Sequence, residues 1–327
     1  MESPARWLML LSLAAAPGPA LAQAAPVSPA PQEPVATELE EVVVVGSDLE
    51  QTARAYVTAV GAPPEGREPA AWRRRICVGV GGMSPEPARA LADRVLDWGY
   101  SLGLEIAPPG CQPDIFVVAT EDGNATAREL VAVRPRAFRT RISGADRGRA
   151  ALRAFQESGR PIRWWHVSLP VNEDTGRSAV RLPGQPPFVP PPEGIKRPSD
   201  LGGFGIISLP SRLSDQIRDD LQQVIVVLDD DALDQAGFVQ VADYIAMVAL
   251  AQVDPEAAPD VPSILNLFDP DKPGEETLSA WDRAYLRALY TAYLGRSAEN
   301  ANAAILAGAT AGEVQVQREA TDPATPR

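Results

Sequence analysis

The residue types that commonly support catalysis are scarce in this chain of 327 residues. It contains a single histidine, His166, and two cysteines. A zinc-hydrolase helix needs two histidines four residues apart, and a serine hydrolase places its nucleophile in a Gly-x-Ser-x-Gly turn, which the sequence lacks. His166 follows Trp164 and Trp165 in an aromatic, β-prone run, so we expect a packed strand rather than a catalytic base.

Two aspartates are the strongest candidates for a functional or buried polar role. Asp243 lies in a segment that is apolar nearly all round, where a carboxylate must find a partner or stay protonated. We favour an arginine partner or a loop cap over catalysis for Asp243. Asp229 opens an acidic run at the end of a predicted strand, where a cation could bind, although a solvated loop is favoured. If both carboxylates shared a cleft, they would support a metal-independent hydrolase, which is the alternative function.

Two loops carry incomplete ligand-binding motifs. Gly79 to Ser84 lies between a predicted strand and helix, as in a dinucleotide-binding loop, but Ser84 replaces the third glycine and a tight turn is favoured. Asp269 to Gly274 begins like a calcium loop, but Pro273 and Ala280 occupy positions that need oxygen ligands. The sequence therefore predicts no cofactor and no metal.

The two cysteines predict one disulfide. Cys77 and Cys111 are 34 residues apart, and an even number of cysteines in an exported chain is most simply one bridge. A redox pair would have the short Cys-x-x-Cys spacing, which is absent. On a loop-entropy model this bridge contributes about 3 to 4 kcal/mol to the free energy of unfolding.

The N-terminal residues predict export. Arg6 precedes an apolar run over 7–16, and Ala20-Leu21-Ala22 has the small-residue pattern of a cleavage site, so 1–22 resembles a signal peptide. The apolar run is about half the ~20 residues of a membrane-spanning helix. We therefore expect a mature protein that begins at Gln23 and is periplasmic or secreted, without stable membrane insertion.

Charge is divided unequally along the chain, whose net charge is -13. Residues 71–170 contain 15 arginines and 10 acidic residues, whereas residues 200–327 contain 8 basic and 21 acidic residues. The arginine cluster comprises Arg134, Arg136, Arg139, Arg141, Arg147, Arg149 and Arg153. These arginines could contact an anionic envelope component, but pairing with the acidic half is favoured, and nucleic acid is not an expected partner.

Hydrophobic patterns predict an α/β fold, with α+β character in the C-terminal half. Strands are predicted at 41–46, 75–78 and 115–118, and a helix that begins at Pro85 makes 74–119 a βαβ unit tied by the disulfide. Segment 41–46 also resembles the N-terminal segment of outer-membrane receptors that an energy-transducing protein binds as an added strand. An internal strand is favoured, because the chain is too short for a receptor barrel.

The second half combines further strands with two strong helices. Strands are predicted at 204–209 and 224–228, an all-apolar helix at 237–253, and a helix from Ser279 with Asp282 in its capping box. The pattern fades after Gly295, and we expect disorder from Glu313. These patterns divide the chain into a signal peptide (1–22), a flexible lead-in (23–38), an α/β domain (39–160), an aromatic strand and Pro-rich linker (161–205), a C-terminal helical and sheet domain (206–295) and a flexible tail (296–327).

The stretches 241–251, 262–266 and 278–290 resemble a family of uncharacterised exported proteobacterial proteins that look like relatives of zincin-type metallopeptidases. The resemblance covers about a quarter of the chain and implies a zincin-like C-terminal domain. In a zincin the central helix carries His-Glu-x-x-His, and Asp243-Tyr244 with Met247 occupy that window here. The resemblance therefore implies a scaffold without its metal.

The sequence as a whole favours a non-enzymatic binding or interaction protein of the cell envelope. The missing zinc ligands and triad remove common hydrolytic mechanisms, while Trp164, Trp165, the arginine cluster and the Pro-rich segment supply contact surfaces. The expected partner is an envelope protein or glycan of unknown identity.

Overall fold

A mixed four-stranded sheet is the framework of the computed structural model, which describes residues 37–61, 63, 69–139, 147–172, 217–291 and 299–321. The strands are β1 (Val78–Gly81), β2 (Ile115–Thr120), β3 (Ile162–Asn172) and β4 (Ile217–Asp229), in the order β1-β2-β4-β3. β1, β2 and β4 run parallel, and β3 pairs antiparallel with β4. Strands from the predicted N-terminal domain, linker and C-terminal domain thus belong to one sheet.

The described residues also form nine α-helices. These are α1 (Thr37–Val60), α2 (Pro85–Ser101), α3 (Gly123–Val133), α4 (Pro135–Phe138), α5 (Gly148–Gln156), α6 (Asp231–Gln235), α7 (Phe238–Leu250), α8 (Ala280–Thr291) and α9 (Glu299–Thr321). A 3₁₀ turn covers Ile264–Asn266. The chain divides into a unit from Met1 to Val42, whose described residues 37–42 are helical, and a unit from Val43 to Arg327. The predicted signal peptide, the Pro-rich segment and the strand at 204–209 lie outside the described residues.

At β3 and β4, both faces of the sheet are apolar and covered. Trp164 and Val226 belong to the larger core cluster, which includes α7, whereas Trp165 and Val227 belong to a smaller cluster with Phe138 of α4. Successive strand residues point to opposite faces, so a strand covered on both sides needs a continuous apolar run. The aromatic run of β3 and the valine-rich run of β4 meet this requirement.

Helix α7 lies in the interior, as its all-round apolar pattern predicts. Every residue from Val241 to Leu250 is buried. At the start of the helix, Gln240 Oε1 accepts a hydrogen bond from the main-chain N of Gly237 at 3.0 Å. Burial of this helix carries Asp243 and Tyr244 into the protein interior.

The predicted βαβ unit and its disulfide are confirmed. Cys77 and Cys111 are bonded, with their Cα atoms 6.2 Å apart. Cys77 immediately precedes β1, and its carbonyl oxygen accepts hydrogen bonds from the main-chain N of Asp114 and of Ile115 at 2.9 and 3.0 Å. Helix α2 begins at Pro85, as predicted, and connects the parallel strands β1 and β2.

The predicted strand at 41–46 is wrong, because these residues belong to helix α1. Asp48 lies inside the same helix. The following turns pack a helical stripe into the core, formed by Leu49, Ala53, Tyr56, Val57 and Val60. A β-branched residue disfavours a helix by less than about 1 kcal/mol, so packing of the continuous helix decides the conformation. Segment 41–46 therefore does not present an extended strand.

Two further boundaries differ from the predictions. β1 begins at Val78 and includes Gly79, so the turn expected from Gly79 starts only at Gly82. Gly82 has φ +79°, and an added Cβ would lie 2.0 Å from the carbonyl oxygen of Ala119, so only glycine fits.

The disorder predicted from Glu313 is wrong for residues 313–321, because helix α9 continues to Thr321 and packs on α8.

The capping box at the start of α8 is confirmed and is part of a larger buried network. Asp282 accepts hydrogen bonds from the main-chain N of Ser279 and of Ile264, both at 2.8 Å. It also accepts from Tyr56 Oη at 2.7 Å and Ser263 Oγ at 2.6 Å. Four donors satisfy this buried carboxylate, which ties α1 and the 3₁₀ turn to α8.

Candidate functional site

Asp243 is fully buried and bound by an arginine from α2. Arg94 donates from Nε to Oδ1 at 2.6 Å and from Nη2 to Oδ2 at 2.8 Å. Trp98 Nε1 donates to Oδ1 at 2.7 Å, and Thr277 Oγ1 donates to Oδ2. Burial opposes ionisation, but the hydrogen bonds from Arg94, Thr277 and Trp98 outweigh it and lower the pKa of Asp243. Asp243 is therefore an ionised tie between α7, α2 and the segment before α8.

Asp229 is the last residue of β4 and is bound by a different arginine, Arg163 of β3. Arg163 Nη2 donates to Asp229 Oδ2 at 2.6 Å and to the carbonyl oxygen of Arg160 at 3.1 Å. Arg163 Nη1 donates to Asn124 Oδ1. Each of the two candidate carboxylates, Asp229 and Asp243, is thus engaged by its own arginine on a separate element.

Close packing of Gly123 against this pair holds it in place. An added Cβ at Gly123 would lie 2.3 Å from Asp229 Oδ1 and 2.6 Å from Arg163 Nη2. The Arg163 side chain is 4% exposed and that of Asp229 17%, so the pair is largely withdrawn from water. Removing one member of such a pair leaves a buried charge uncompensated. The pair therefore joins the start of β3 to the end of β4 and fixes the main chain of Arg160.

The side chains of Trp164, Trp165 and His166 are buried and bonded internally. Trp164 Nε1 donates to the carbonyl oxygen of Val253 and Trp165 Nε1 to that of Phe138, both at 3.0 Å. His166 Nε2 lies 2.7 Å from a carbonyl oxygen of α7. Burial lowers the pKa of His166 to about 4, so the neutral ring donates from Nε2. The aromatic run consequently packs inside the protein and does not form an exposed contact surface.

Two adjoining pockets, together called the β3 cleft, open beside the start of β3. The His166 pocket, of about 110 Å³, is lined by aromatic and charged side chains that include Phe155, Arg147, Arg163 and His166. The Tyr244 pocket has a volume of about 330 Å³. Its buried lining is formed by Ile162, Tyr244, Ala257 and Leu265, with Phe268 partly buried. Arg160 lines both pockets.

Arg160 combines a fixed main chain with an exchangeable side-chain partner. Its main-chain N donates to Ser158 Oγ at 3.1 Å, and its carbonyl oxygen is held by Arg163. Its Nη2 donates to Glu256 Oε2 at 3.1 Å, and the two side chains are 36% and 82% exposed. Exposed ion pairs contribute only about 0 to 1 kcal/mol. Glu256 can therefore leave Arg160 for water at little energetic cost.

Tyr244 brings a hydroxyl group from the buried helix α7 to the cleft. Its ring makes edge contacts with Trp164 and Phe268, at centroid distances of 5.9 and 5.4 Å. Burial raises the pKa of Tyr244 to about 12, while the charge and hydrogen bond of Arg160 act in the opposite direction. At neutral pH the hydroxyl is protonated and lies beside a guanidinium. A neutral donor and a cation in this arrangement can bind one oxyanion.

The arginine cluster pairs in part with the acidic half of the chain. Arg147 Nη2 lies 3.0 Å from Asp254 Oδ2 at the His166 pocket. Arg141 lies outside the described residues, and Arg139 is half-buried. The exposed members of the cluster are Arg134, Arg136, Arg147, Arg149 and Arg153.

The two acidic segments take ordinary local conformations. Asp231 and Asp234 lie in the short helix α6, and Asp269 Oδ1 accepts a hydrogen bond from the main-chain N of Asp271. Lys272 Nζ binds the carbonyl oxygens of residues 258 and 259. Among the described residues, no group of three or more histidine, cysteine or acidic side chains is placed to hold a metal ion. No helix in the described ranges has the length and apolarity needed to cross a membrane.

Sequence reasoning did not identify Arg160 or Tyr244. A usable signal exists for Tyr244, since a phenol in an otherwise apolar helix needs a polar partner, as Asp243 does. Arg160 carries no such signal, because its role depends on Glu256, 96 residues away. Comparisons with protein-family models, characterised proteins and solved structures gave no match for the chain.

Proposed function

We propose that this protein is a non-enzymatic binding protein of the cell envelope and that it holds its ligand in the β3 cleft. The observation that carries this proposal is the position of Arg160. Its main chain is fixed, the residue lines two pockets, and the carboxylate of its partner Glu256 is 82% exposed. Ligand pockets typically combine an apolar lining with a few polar groups that fix the orientation of the ligand.

The roles of the other polar residues support binding over catalysis. Asp243 and Asp229 are each used to tie elements of the fold together, through Arg94 and Arg163. His166 is neutral at neutral pH and bonded to the main chain. A general base needs a pKa near the working pH and reach to a substrate, whereas His166 is buried and its pKa is lowered to about 4.

Export to the periplasm or the extracellular space is part of the same proposal. It is supported by the signal-like residues 1–22 and by the Cys77–Cys111 disulfide, which is typical of oxidising compartments. Edman sequencing of the protein recovered from a periplasmic or culture fraction is expected to begin at Gln23. Recovery only from the cytoplasm, with Met1 retained, would contradict export.

The zincin-like ancestry of the C-terminal half is kept as a hypothesis. It is supported by the resemblance of the sequences 241–251, 262–266 and 278–290, and on this hypothesis the buried helix α7 corresponds to the central helix of a zincin. On this hypothesis Tyr244 stands where a zincin has its catalytic glutamate, and the helix serves a pocket for binding.

Ligand binding in the cleft can be tested with a blocked variant. Ala258 is exposed and lines the Tyr244 pocket, whereas Ala90 is exposed on α2 and does not line the cleft. Fractions of a small-molecule extract from the envelope are screened for an increase in Tm, which binding to the folded state produces. We expect an active fraction to raise the Tm of the wild type and of Ala90→Trp, but not of Ala258→Trp. No active fraction, or an equal shift in Ala258→Trp, would refute the proposal.

A further inference from the structure

We infer that the Tyr244 pocket binds a small organic acid, whose apolar body fills the pocket and whose carboxylate replaces that of Glu256 on Arg160. This inference rests on the proposed binding function and specifies its ligand class. It follows from the charge, the lining and the size of the pocket.

The charge of the site selects an anion. Arg160 is permanently cationic, and a guanidinium binds a carboxylate through parallel hydrogen bonds. Glu256, which lines the adjoining His166 pocket, already binds Arg160 through a carboxylate, with Oε2 at 3.1 Å from Nη2. A ligand carboxylate on Arg160 would also lie close to the protonated hydroxyl group of Tyr244, which can act as a second donor.

Replacement of the Glu256 carboxylate on Arg160 by the carboxylate of the ligand is favourable. Glu256 is 82% exposed on Arg160 and regains full hydration when it is released. A ligand carboxylate in its place brings with it an apolar body that leaves water, and burial of apolar surface drives binding. The ion pair is conserved in the exchange, so the apolar contacts decide its direction.

The lining and volume of the pocket define the body of the ligand. Side chains of Ile162, Leu265 and Phe268 surround the space together with the ring of Tyr244. The volume of about 330 Å³ is at the lower end of the range for small-molecule sites. A phenyl or branched aliphatic group joined to the carboxylate by a short chain fits this space.

One acidic residue, Asp269, also lines the Tyr244 pocket. Asp269 Oδ1 accepts a hydrogen bond from the main-chain N of Asp271 at 3.0 Å. Its carboxylate is therefore engaged in a local turn. We expect an amine on the ligand to add little affinity, which makes amines a useful comparison.

Isothermal titration calorimetry with a matched set of probes tests the ligand class. The acids are 3-phenylpropionate and 4-methylpentanoate, and the comparison ligands are 3-phenylpropan-1-ol and 3-phenylpropylamine. Because a hydrogen bond to a charged group is lost, we expect the alcohol and the amine to bind about tenfold more weakly than the acids, or worse. Equal or tighter binding of the alcohol or amine would overturn the inference, as would failure of both acids to bind.

Variants at the ion pair separate ligand binding from a structural role. Arg160→Gln is expected to weaken 3-phenylpropionate binding by about tenfold or more. Glu256→Gln is expected to tighten it about two- to fivefold, since it removes the competing carboxylate. Arg153→Gln, an exposed arginine of α5 outside both pockets, should leave the affinity unchanged. Weakening by Glu256→Gln, or equal effects of Arg160→Gln and Arg153→Gln, would overturn the inference.

The result also distinguishes this inference from the proposed function. If an envelope fraction stabilises the wild type but not Ala258→Trp, while neither acid binds, the cleft is a binding site for another class of ligand. If neither the fraction nor the acids bind, both the ligand class and the binding function are wrong.

Discussion

Replacing Arg94 by glutamine is expected to destabilise the protein more than replacing Asp243 by asparagine. The Asp243 side chain is fully buried, whereas that of Arg94 is 36% exposed. Arg94→Gln leaves a buried carboxylate without its cation, which costs about 3 kcal/mol even though the hydrogen bonds from Trp98 and Thr277 remain. Asp243→Asn leaves an arginine that can turn towards water, so we expect a loss of about 1 to 2 kcal/mol.

The two variants should also differ in their dependence on pH. In the wild type the pKa of Asp243 is lowered on folding, so its stabilising effect is present above the unfolded pKa of about 4 and is lost as the pH falls through the folded pKa. In Arg94→Gln, only the hydrogen bonds from Trp98 and Thr277 oppose the effect of burial on Asp243. We therefore expect the pKa of Asp243 to be raised in this variant. The penalty is then largest at neutral pH and declines as the pH falls through the raised pKa.

Urea unfolding followed by tryptophan fluorescence measures these differences, at neutral pH and at about pH 4.5. Asp93→Asn, an exposed acid on the same helix as Arg94, is the matched control and should change the free energy of unfolding by less than about 0.5 kcal/mol. Equal losses for Arg94→Gln and Asp243→Asn at neutral pH would refute the reasoning. So would an Arg94→Gln penalty that does not diminish at the lower pH.

Further outcomes are expected at three other sites. Gly123→Ala should lower the free energy of unfolding by about 2 to 4 kcal/mol, because its Cβ would enter the Asp229–Arg163 pair. The control Gly159→Ala, whose Cβ would have no atom within 4 Å, should change it by less than about 1 kcal/mol. Equal urea midpoints for the two variants would contradict this. Cys77→Ser with Cys111→Ser should cost about 3 kcal/mol by the same assay, and an unchanged midpoint would show that the bridge does not stabilise the fold. The pKa of the His166 imidazole is about 4, so the NMR signals of its ring protons should not shift between neutral pH and about pH 5.5. A titration midpoint near the ordinary pKa of ~6.5 would contradict burial of the ring. The stability supplied by the neutral ring is present above about pH 6.5 and is lost as the pH falls towards about 4, so His166→Gln should lack this loss.

Features that depend on short-range patterns could be predicted from the sequence. Ser84-Pro85 marks the start of α2, the all-round apolar run marks α7, and Ser279 with Asp282 marks the start of α8. Each of these signals is contained within a few turns of the chain. The disulfide was predictable for a different reason, since two cysteines allow only one pairing.

Features that depend on tertiary contacts could not be predicted in this way. The valine-rich segment 41–46 has strand-like composition, but it continues a helix whose later turns pack in the core. Burial of Asp243 required a cationic or hydrogen-bonding partner, but nothing in the sequence selects Arg94, 149 residues away. The same holds for the cleft, because Arg160 and Tyr244 come together only when α7 packs behind β3.

A crystal structure of the protein with 3-phenylpropionate tests the central claim most directly. We expect that the phenyl group lies in the Tyr244 pocket, that the ligand carboxylate is hydrogen-bonded to Arg160, and that Glu256 has turned to solvent. An empty pocket at saturating ligand, or a ligand bound elsewhere with Glu256 still on Arg160, would contradict it.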